Sequence, residues 1–132
     1  MRVRDYMSRS VISLTRDTEI LKALHVINEH GLSNAPVVDE QGQLIGILSD
    51  RDCIRGVLQG TYHSEFAGLV GEFMTEDVMT LGPDEGLIDA AKRLIDFPHR
   101  LYPVVAGGDL VGVISRQDIV AALTDKWQWK SA

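Results

Sequence analysis

An internal duplication runs through almost the whole chain. When the sequence is displaced by 67 positions, it matches itself at a collinear series of residues: Met7 with Met74, Leu14 with Leu81, Ala23 with Ala90, and Pro36–Val38 with Pro103–Val105. One residue is then missing from the second copy, the displacement falls to 66, and Gly46–Asp52 recurs as Gly112–Asp118. Such a series indicates two copies of one structural unit. Neither half of a 132-residue chain can bury much apolar surface alone, so we expect the copies to pack on each other.

Each copy predicts the element order strand, helix, strand, strand, helix. The aliphatic runs Val11–Leu14 and Val78–Leu81 predict the first strand. Asp17 and Asp84 follow, where a short carboxylate can cap a helix by accepting its unpaired N–H groups. Apolar residues then recur at helical spacing in both copies: Ile20, Leu21, Leu24 and Ile27, and Leu87, Ala90, Ala91 and Leu94. These helices are expected to end at residues that disfavour helix: Gly31 in the first copy and Pro98 in the second.

Two more strands and a second helix complete each copy. Aliphatic runs flank a polar turn at residues 39–43 in the first copy and at Gly107–Gly108 in the second, which predicts two hairpins. The shorter second turn explains the missing residue. The second helices are predicted from about Asp50 to Leu58 and from about Gln117 to Leu123.

The composition limits the cellular setting and the partners. The net charge is −6 and no dense Lys/Arg cluster is present, which disfavours nucleic acid as a partner. No apolar run approaches the roughly 20 residues needed to cross a bilayer, and Met1–Ser10 lacks the apolar region of a signal peptide. The single cysteine, Cys53, cannot form an internal disulfide, and its apolar neighbours predict a buried, inert thiol. We therefore expect a cytoplasmic protein without a membrane partner.

The duplication predicts four segments along the chain. They are repeat one (residues 3–59), a linker (60–69), repeat two (70–124) and a C-terminal tail (125–132). The linker has no periodicity and is expected to be a surface connection. In the tail, Trp127 and Trp129 leave two interpretations open. They cover apolar surface near the termini, or they extend an interface with a second copy or a partner.

Both repeats run Met-Ser/Thr, then Pro-Val-Val, then Gly-aliphatic-aliphatic-Ser-x-x-Asp, and this order resembles a pair of cystathionine-β-synthase (CBS) domains, the Bateman module. The resemblance covers about Val3 to Leu123. It implies an α/β (α+β) fold of two antiparallel sheets and four helices related by a pseudo-two-fold axis, often in a disc-shaped homodimer. It also implies clefts for an adenosine-containing ligand (AMP, ADP, ATP or S-adenosylmethionine) and regulation of an attached or partner protein, so an enzyme is not expected.

The two Ser-x-x-Asp segments suit such ligands chemically. A ribose presents two neighbouring hydroxyl groups, and one carboxylate can accept hydrogen bonds from both. Asp52 and Asp118 stand near predicted helix starts, where the helix dipole favours negative charge. The same helix starts favour a phosphate, for which Arg51 or Arg116 would supply the countercharge. The alternative is that Ser-x-x-Asp serves only as a helix-capping box.

The resemblance assigns residues from both repeats to each cleft. For the first cleft they are Ile12, Ser13, Ser33, Ala35, Ser115, Arg116 and Asp118. For the second cleft they are Met79, Thr80, Arg100, Tyr102, Ser49, Arg51 and Asp52. In each, the backbone of the first strand would read the adenine edge, while Ile12 or Met79 would pack on its face. In the second cleft, the bulky side chains of Arg100 and Tyr102 leave three roles open: they would clamp a phosphate, stack on a base or block the cleft. Nucleotide is therefore expected in the first cleft.

Two functions of other classes compete with this hypothesis. The main alternative is a ligand-free structural or dimerisation module, in which the Ser–Asp pairs serve as caps alone. An enzyme is third, because the sequence shows neither a Ser/His/Asp order nor paired carboxylates nor a phosphate-binding Gly-rich loop. No metal is expected, because none of the histidines has metal-ligand spacing with Cys53: His25, His30, His63 and His99.

Overall fold

The computed structural model describes residues 1–63, 68–97 and 99–127, and the chain divides into two compact units. The N-unit comprises Ile12–Val78, and the C-unit comprises Met1–Val11 together with the chain from Met79 onward. Each unit therefore combines the helices and hairpin of one repeat with the first residues of the other repeat. Pro98, Trp129 and residues 64–67 of the predicted linker lie outside the described residues.

Both units contain helices and a two-stranded antiparallel sheet. The N-unit has α1 (Ile20–Glu29), β1 (Asn34–Val38), β2 (Leu44–Ser49), α2 (Asp50–His63) and α3 (Val70–Phe73). The C-unit has one turn of 3-10 helix (Val3–Asp5), α4 (Leu87–Asp96), β3 (Leu101–Ala106), β4 (Asp109–Ser115) and α5 (Arg116–Lys126). This architecture confirms the predicted fold class. Among the described residues, no helix has both the length and the apolar character that crossing a membrane requires.

The two hairpins differ in their turns, as the missing residue predicts. β3 and β4 meet through Gly107 and Gly108, whose φ angles of 58° and 86° are the left-handed values that a tight two-residue turn requires. The longer turn between β1 and β2 is held by Asp39, whose carboxylate accepts the N–H groups of Gln41 and Gln43, both at 2.9 Å. Turn chemistry therefore explains why the repeat spacing falls by one residue.

The predicted first strand of each copy shortens to one residue that bridges the hairpin. Leu14 donates its N–H to the Pro36 carbonyl and accepts the N–H of Val38, both at 2.9 Å. The preceding bond of a parallel ladder would need an N–H from residue 36, and proline has none. The C-unit repeats this arrangement, with Leu81 beside Pro103. The proline of each Pro-Val-Val run therefore prevents the predicted first strand from pairing on the N-terminal side of this bridge.

The prediction that Asp17 and Asp84 cap helices is wrong. The N-cap positions of α1 and α4 are Glu19 and Gly86, and neither residue makes a side-chain cap. The two aspartates lie two residues too early in the chain to reach the first helical N–H groups, which donate to backbone carbonyls instead. Asp84 forms an ion pair with Arg4.

The first two helices end at different kinds of residue. Gly31 ends α1 as predicted, with a φ of 64° that lets Leu32 donate its N–H back to the Ile27 carbonyl at 2.9 Å. α2 runs to His63, beyond its predicted end at Leu58. Its packing on α1 outweighs the low helix propensity of the glycines within it.

Each unit has its own apolar core. In the N-unit the core residues are Leu14, Ile20, Ala23, Ile27, Ala35, Val37, Leu48, Cys53 and Val70. In the C-unit they are Val3, Leu81, Leu87, Ala90, Leu94, Tyr102, Val104, Ile114, Ile119 and Ala122. Cys53 has no exposed surface, and burial, together with the charges of Asp52 and Asp50, raises the pKa of its thiol to about 11. The thiol is therefore protonated and inert at neutral pH, as its apolar neighbours predict.

The glycine of each Gly-x-x-Ser-x-x-Asp segment lies against a methionine and a backbone carbonyl. A Cβ atom on Gly112 would stand 2.8 Å from the Ser8 carbonyl oxygen and 3.0 Å from Met7 Sδ. On Gly46 it would stand 2.8 Å from Met74 Sδ. The methionine and glycine positions therefore recur together in both repeats because they are in contact.

We expect Gly112→Ala to lower the free energy of unfolding by about 1–3 kcal/mol, because the added methyl group overpacks this contact. The Ser8 backbone cannot yield easily, since Ser8 and Val113 exchange hydrogen bonds of 2.8 and 2.9 Å. Urea denaturation measures the change. Gly82→Ala is the matched control, because a Cβ there meets nothing within 4 Å. Equal stability of the two variants would contradict the assignment of a packing role to Gly112.

Candidate functional site

A reciprocal pair of hydrogen bonds joins serine and aspartate where each hairpin runs into its second helix. In the C-unit, Ser115 Oγ accepts the N–H of Asp118 at 3.0 Å, and Asp118 Oδ2 accepts the N–H of Ser115 at 2.8 Å. In the N-unit, Ser49 and Asp52 make the same two bonds at 3.1 and 3.0 Å. This is a capping box, so both copies stabilise a helix start whether or not a ligand binds.

The second carboxylate oxygen distinguishes the two copies. Asp52 Oδ1 accepts a hydrogen bond from the guanidinium of Arg55, which lies one turn further along α2. Ala121 occupies the matching position in α5 and has no group to donate. Within residues 1–63, 68–97 and 99–127, no side chain donates to Asp118 Oδ1. Asp118 is also half-buried, whereas Asp52 is only 8% exposed.

The residue that precedes each hairpin lies against the start of the second helix of its own unit. Asp50 donates its N–H to the Ser33 carbonyl at 2.8 Å, and Arg116 donates its N–H to the Arg100 carbonyl at 2.9 Å. Among the predicted site residues, Ser33 is thereby placed near the Ser49–Asp52 pair, and Arg100 near Ser115 and Asp118. Arg100 and Arg116 are both exposed.

Ala35 and Tyr102, two further predicted site residues, belong to the cores of their units. Ala35 has no exposed surface, and Tyr102 is 1% exposed. The Tyr102 hydroxyl lies within hydrogen-bond distance of two carbonyl oxygens, 2.7 Å from that of Phe97 and 2.5 Å from that of His99. It therefore stabilises the backbone at these two residues after α4. Burial raises the pKa of this hydroxyl, which therefore stays protonated at neutral pH.

The residues assigned to the adenine edge differ in how firmly their backbone is held. Ile12, Met79 and Thr80 are half-buried, and Ser13 is exposed. The Thr80 carbonyl accepts a hydrogen bond from Arg93 Nη2 at 2.7 Å, and Arg93 pairs in turn with Glu85 at 2.6 Å. In repeat one, Ser13 matches Thr80 and Val26 matches Arg93. The Val26 side chain has no N–H group, so it cannot donate to the Ser13 carbonyl.

A cavity of about 310 Å³ lies beside the Asp52 copy, lined by Ser49, Arg51, Asp52 and Arg55. The structure thus brings together three residues assigned to the second cleft within the N-unit. Ser115, Arg116 and Asp118 likewise stand together at the start of α5 in the C-unit. How residues of different units combine in a cleft stays a prediction of the resemblance.

Asn34, which is not among the predicted site residues, has a buried side-chain oxygen. It is 6% exposed and stands opposite Ser49 in the register of β1 and β2. In the described part of the chain, its Oδ1 has no hydrogen-bond partner, which is costly for a buried amide oxygen. The sequence contained a signal for this residue, namely a difference between the repeats. Repeat two has the apolar Leu101 at the strand position where repeat one has the polar Asn34.

The side chains at the two helix starts present oxygen atoms that accept hydrogen bonds. In the described ranges, no group of three or more His, Cys, Asp or Glu side chains is arranged to hold a metal ion. What the two helix starts offer is carboxylate and hydroxyl oxygens with arginines beside them.

We expect Ser115→Ala to lower the free energy of unfolding by about 1 kcal/mol, because the N–H of Asp118 loses its cap. Urea denaturation of the ligand-free chain measures this change. Ser10→Ala is the control, since Ser10 is exposed and lies outside the helices. If both variants unfold at the same urea concentration as the parent chain, the cap carries no stability.

Comparison with known proteins identifies the family of the chain. The family model described as "CBS domain" matches residues 3–59 and again residues 70–125. Curated relatives include an uncharacterised protein of Methanocaldococcus jannaschii, 32% identical over 125 residues, which cover 95% of this chain and 44% of that protein. Another is the A-adding tRNA nucleotidyltransferase of Aquifex aeolicus, 34% identical over 125 residues, which cover 95% of this chain and 15% of the enzyme. The chain thus spans less than half the length of these two relatives.

Solved structures of CBS pairs superpose on nearly the whole chain. CBSX2, a CBS-pair protein of Arabidopsis thaliana, was solved in complex with AMP; it is 30% identical, with a TM-score of 0.82 and coverage of 96% of this chain and 98% of that one. The CBS domain pair of protein MJ0100 was solved with 5′-methylthioadenosine and S-adenosyl-L-methionine; it is 25% identical, with a TM-score of 0.78 and coverage of 96% and 98%. With both repeats matched by the family and both helix starts built on Ser-x-x-Asp, this chain belongs to the CBS domain family as a tandem pair of CBS domains.

Proposed function

We propose that this chain is a regulatory module that binds an adenosine-containing ligand and signals through a dimer or a partner protein. AMP, ADP, ATP and S-adenosylmethionine are the candidate ligands. The observation that carries the proposal is Asp118 Oδ1, a carboxylate oxygen at a helix start that the capping box leaves available. A ribose diol supplies the two donors that such an oxygen and its neighbour accept, and hydrogen bonds to a charged group contribute about 1.5–3 kcal/mol.

The ligands of the related structures support an adenosine group. AMP, 5′-methylthioadenosine and S-adenosyl-L-methionine, the molecules bound by CBSX2 and by the pair of MJ0100, have adenine and ribose in common and differ beyond the ribose. A carboxylate that accepts hydrogen bonds from the ribose would recognise part of this shared nucleoside, and this is the role we assign to Asp118. Arg116, exposed at the first position of α5, is placed to neutralise a phosphate at the helix start.

The hydrogen bonds within each unit favour the ligand set that includes Asp118. Within the described residues, no side chain donates to Asp118 Oδ1, whereas Arg55 donates to Asp52 Oδ1 in the other set. In the other set, the Thr80 carbonyl is already held by Arg93. We therefore propose the first set as the principal nucleotide site.

Substitution of the two aspartates tests the proposal. Asp118→Asn keeps an oxygen that can accept from Ser115 but removes the charge, so it should weaken AMP binding by about tenfold or more. Asp52→Asn, the matched change in the other copy, should have a smaller effect. Isothermal titration with AMP, ADP, ATP and S-adenosylmethionine gives the affinities, and the melting temperature of the parent chain should rise with a ligand that binds only the folded state.

The main alternative, a ligand-free structural module with both Ser–Asp pairs acting as caps, makes a different prediction. It requires that no adenosine compound at millimolar concentration raises the melting temperature of the parent chain. Equal losses of affinity in Asp118→Asn and Asp52→Asn would overturn the assignment of Asp118 as principal acceptor, although not ligand binding itself.

Exposed apolar side chains support a second copy of the chain as the interaction partner. Ile54 and Leu58 on α2 are 52% and 53% exposed, and Val120 on α5 is 50% exposed. Ile54 and Val120 occupy matching positions of the two repeats, so the second helix of each unit presents an apolar side chain at the same place. Such side chains are expected at the core of a homodimer interface.

We expect the chain to sediment as a dimer and the double variant Ile54→Asp/Val120→Asp to sediment as a monomer, because a charge at the interface is desolvated without a partner. Leu21→Asp is the matched control, since Leu21 is also 53% exposed but lies on the first helix. Analytical ultracentrifugation measures the state. A parent chain that remains monomeric at high concentration would remove the homodimer from the proposal.

A further inference from the structure

The residue three positions after the aspartate differs between the two Ser-x-x-Asp copies. In α2 it is Arg55, and in α5 it is Ala121. Both positions follow the same capping box, so the copies offer an internal comparison in which the local backbone is alike and this side chain differs. The difference decides what the aspartate can still accept.

Asp52 has its acceptors engaged within the N-unit. Its Oδ2 accepts the N–H of Ser49 at 3.0 Å, and its Oδ1 accepts from Arg55 Nη2. The Asp52 side chain is 11% exposed and the Arg55 side chain is 57% exposed, and both line the cavity of about 310 Å³. The guanidinium therefore holds Asp52 Oδ1 beside the space that a ribose would enter. A ribose diol would have to displace it. Because a guanidinium forms a stronger, charge-assisted bond than a neutral hydroxyl, the diol does not compete well.

The copy with Asp118 has no arginine at the position that matches Arg55. Ala121 is exposed and ends at its methyl group, and within the described residues no side chain donates to Asp118 Oδ1. In the N-unit, two arginines, Arg51 and Arg55, line the cavity of about 310 Å³ beside Asp52. Gln117 and Ala121 replace these two arginines in α5.

We propose that Arg55 is a specificity-determining residue that closes the Asp52 copy to ribose, so that one chain binds one adenosine-type ligand, at the Asp118 copy. The inference rests on the proposed function for the role of Asp118, but the closure by Arg55 is a separate property of the N-unit. The internal duplication provides a reciprocal test. Removing the arginine from repeat one should open a ribose site, and adding an arginine at Ala121 should close one.

The experiment is an amide NMR titration with adenosine, which lacks phosphate and so reports ribose and base recognition alone. The N–H groups of Ser49 and Ser115 are local probes, because each donates to the aspartate of its own copy. In the parent chain the Ser115 signal should shift to saturation and the Ser49 signal should not. In Arg55→Met, which keeps most of the aliphatic stem, the Ser49 signal should also saturate and the bound adenosine should rise from one to two per chain. In Ala121→Arg the affinity at Ser115 should fall by about tenfold or more.

Controls separate the closure from general effects of charge and folding. Lys22→Ala removes one positive charge from an exposed position of α1 in the same unit and should leave both responses unchanged. Arg55→Ala provides a second removal of the guanidinium, and thermal unfolding establishes that each variant is folded. The double variant Arg55→Met/Asp52→Asn should lose the new Ser49 response.

The outcomes distinguish this inference from the proposed function. A Ser115 response without any Ser49 response in folded Arg55→Met and Arg55→Ala would overturn the role of Arg55 and leave Asp118 as the ribose acceptor. A Ser49 response that appears in these variants, with none at Ser115 in the parent chain, would support the role of Arg55 and overturn that of Asp118. Ala121→Arg binding adenosine as tightly as the parent chain would also overturn the inference.

Discussion

The reciprocal hydrogen bonds between serine and aspartate at the start of α2 and α5 are the interaction on which the rest of each unit depends. They join the last residue of a hairpin to the first turn of a helix, so the sheet and the helix cannot change their relative direction without breaking two bonds. The residue that precedes the hairpin is drawn to the same point by a backbone bond. The four-residue Ser-x-x-Asp segment therefore fixes the place where both strands and the second helix of a unit meet.

The cap engages one oxygen of each carboxylate, and the ligand binding that we propose would use the other. One oxygen of each aspartate accepts the hydrogen bond of the cap. The hydrogen-bond partner of the other oxygen depends on the side chain one turn along the helix. Arg55 engages that oxygen in repeat one, whereas Ala121 leaves it available in repeat two. Duplicated motifs with identical capping geometry can thus diverge in binding through a single neighbour, and repetition of a motif does not by itself imply two equal sites.

Proline and glycine set the limits of the small sheets. Pro36 and Pro103 have no N–H to extend a third strand, so Leu14 and Leu81 each contribute a single bridge. On the other side of each hairpin, Gly46 and Gly112 allow a methionine and a carbonyl to approach more closely than a side chain would permit. Each unit therefore depends on the first residues of the other repeat, and the family match to two consecutive repeats does not reveal this exchange.

The sequence by itself determined the duplication, the order of elements and the hairpin turns, because these follow from local periodicity, turn chemistry and matching spacing. Its motifs also resembled those of the CBS family, which the family model confirmed. The sequence also indicated Ser49, Asp52, Ser115 and Asp118 as a repeated constellation. It failed for the caps at Asp17 and Asp84 and for the end of α2, since carbonyls and helices distant in sequence outweighed local propensity there. Only the tertiary structure decided that Tyr102 is a core residue, that the Asn34 oxygen is buried without a hydrogen-bond partner among the described residues and that Arg55 donates to Asp52. Those properties depend on which atoms of the folded chain occupy the space around a side chain, and spacing along the sequence does not specify them.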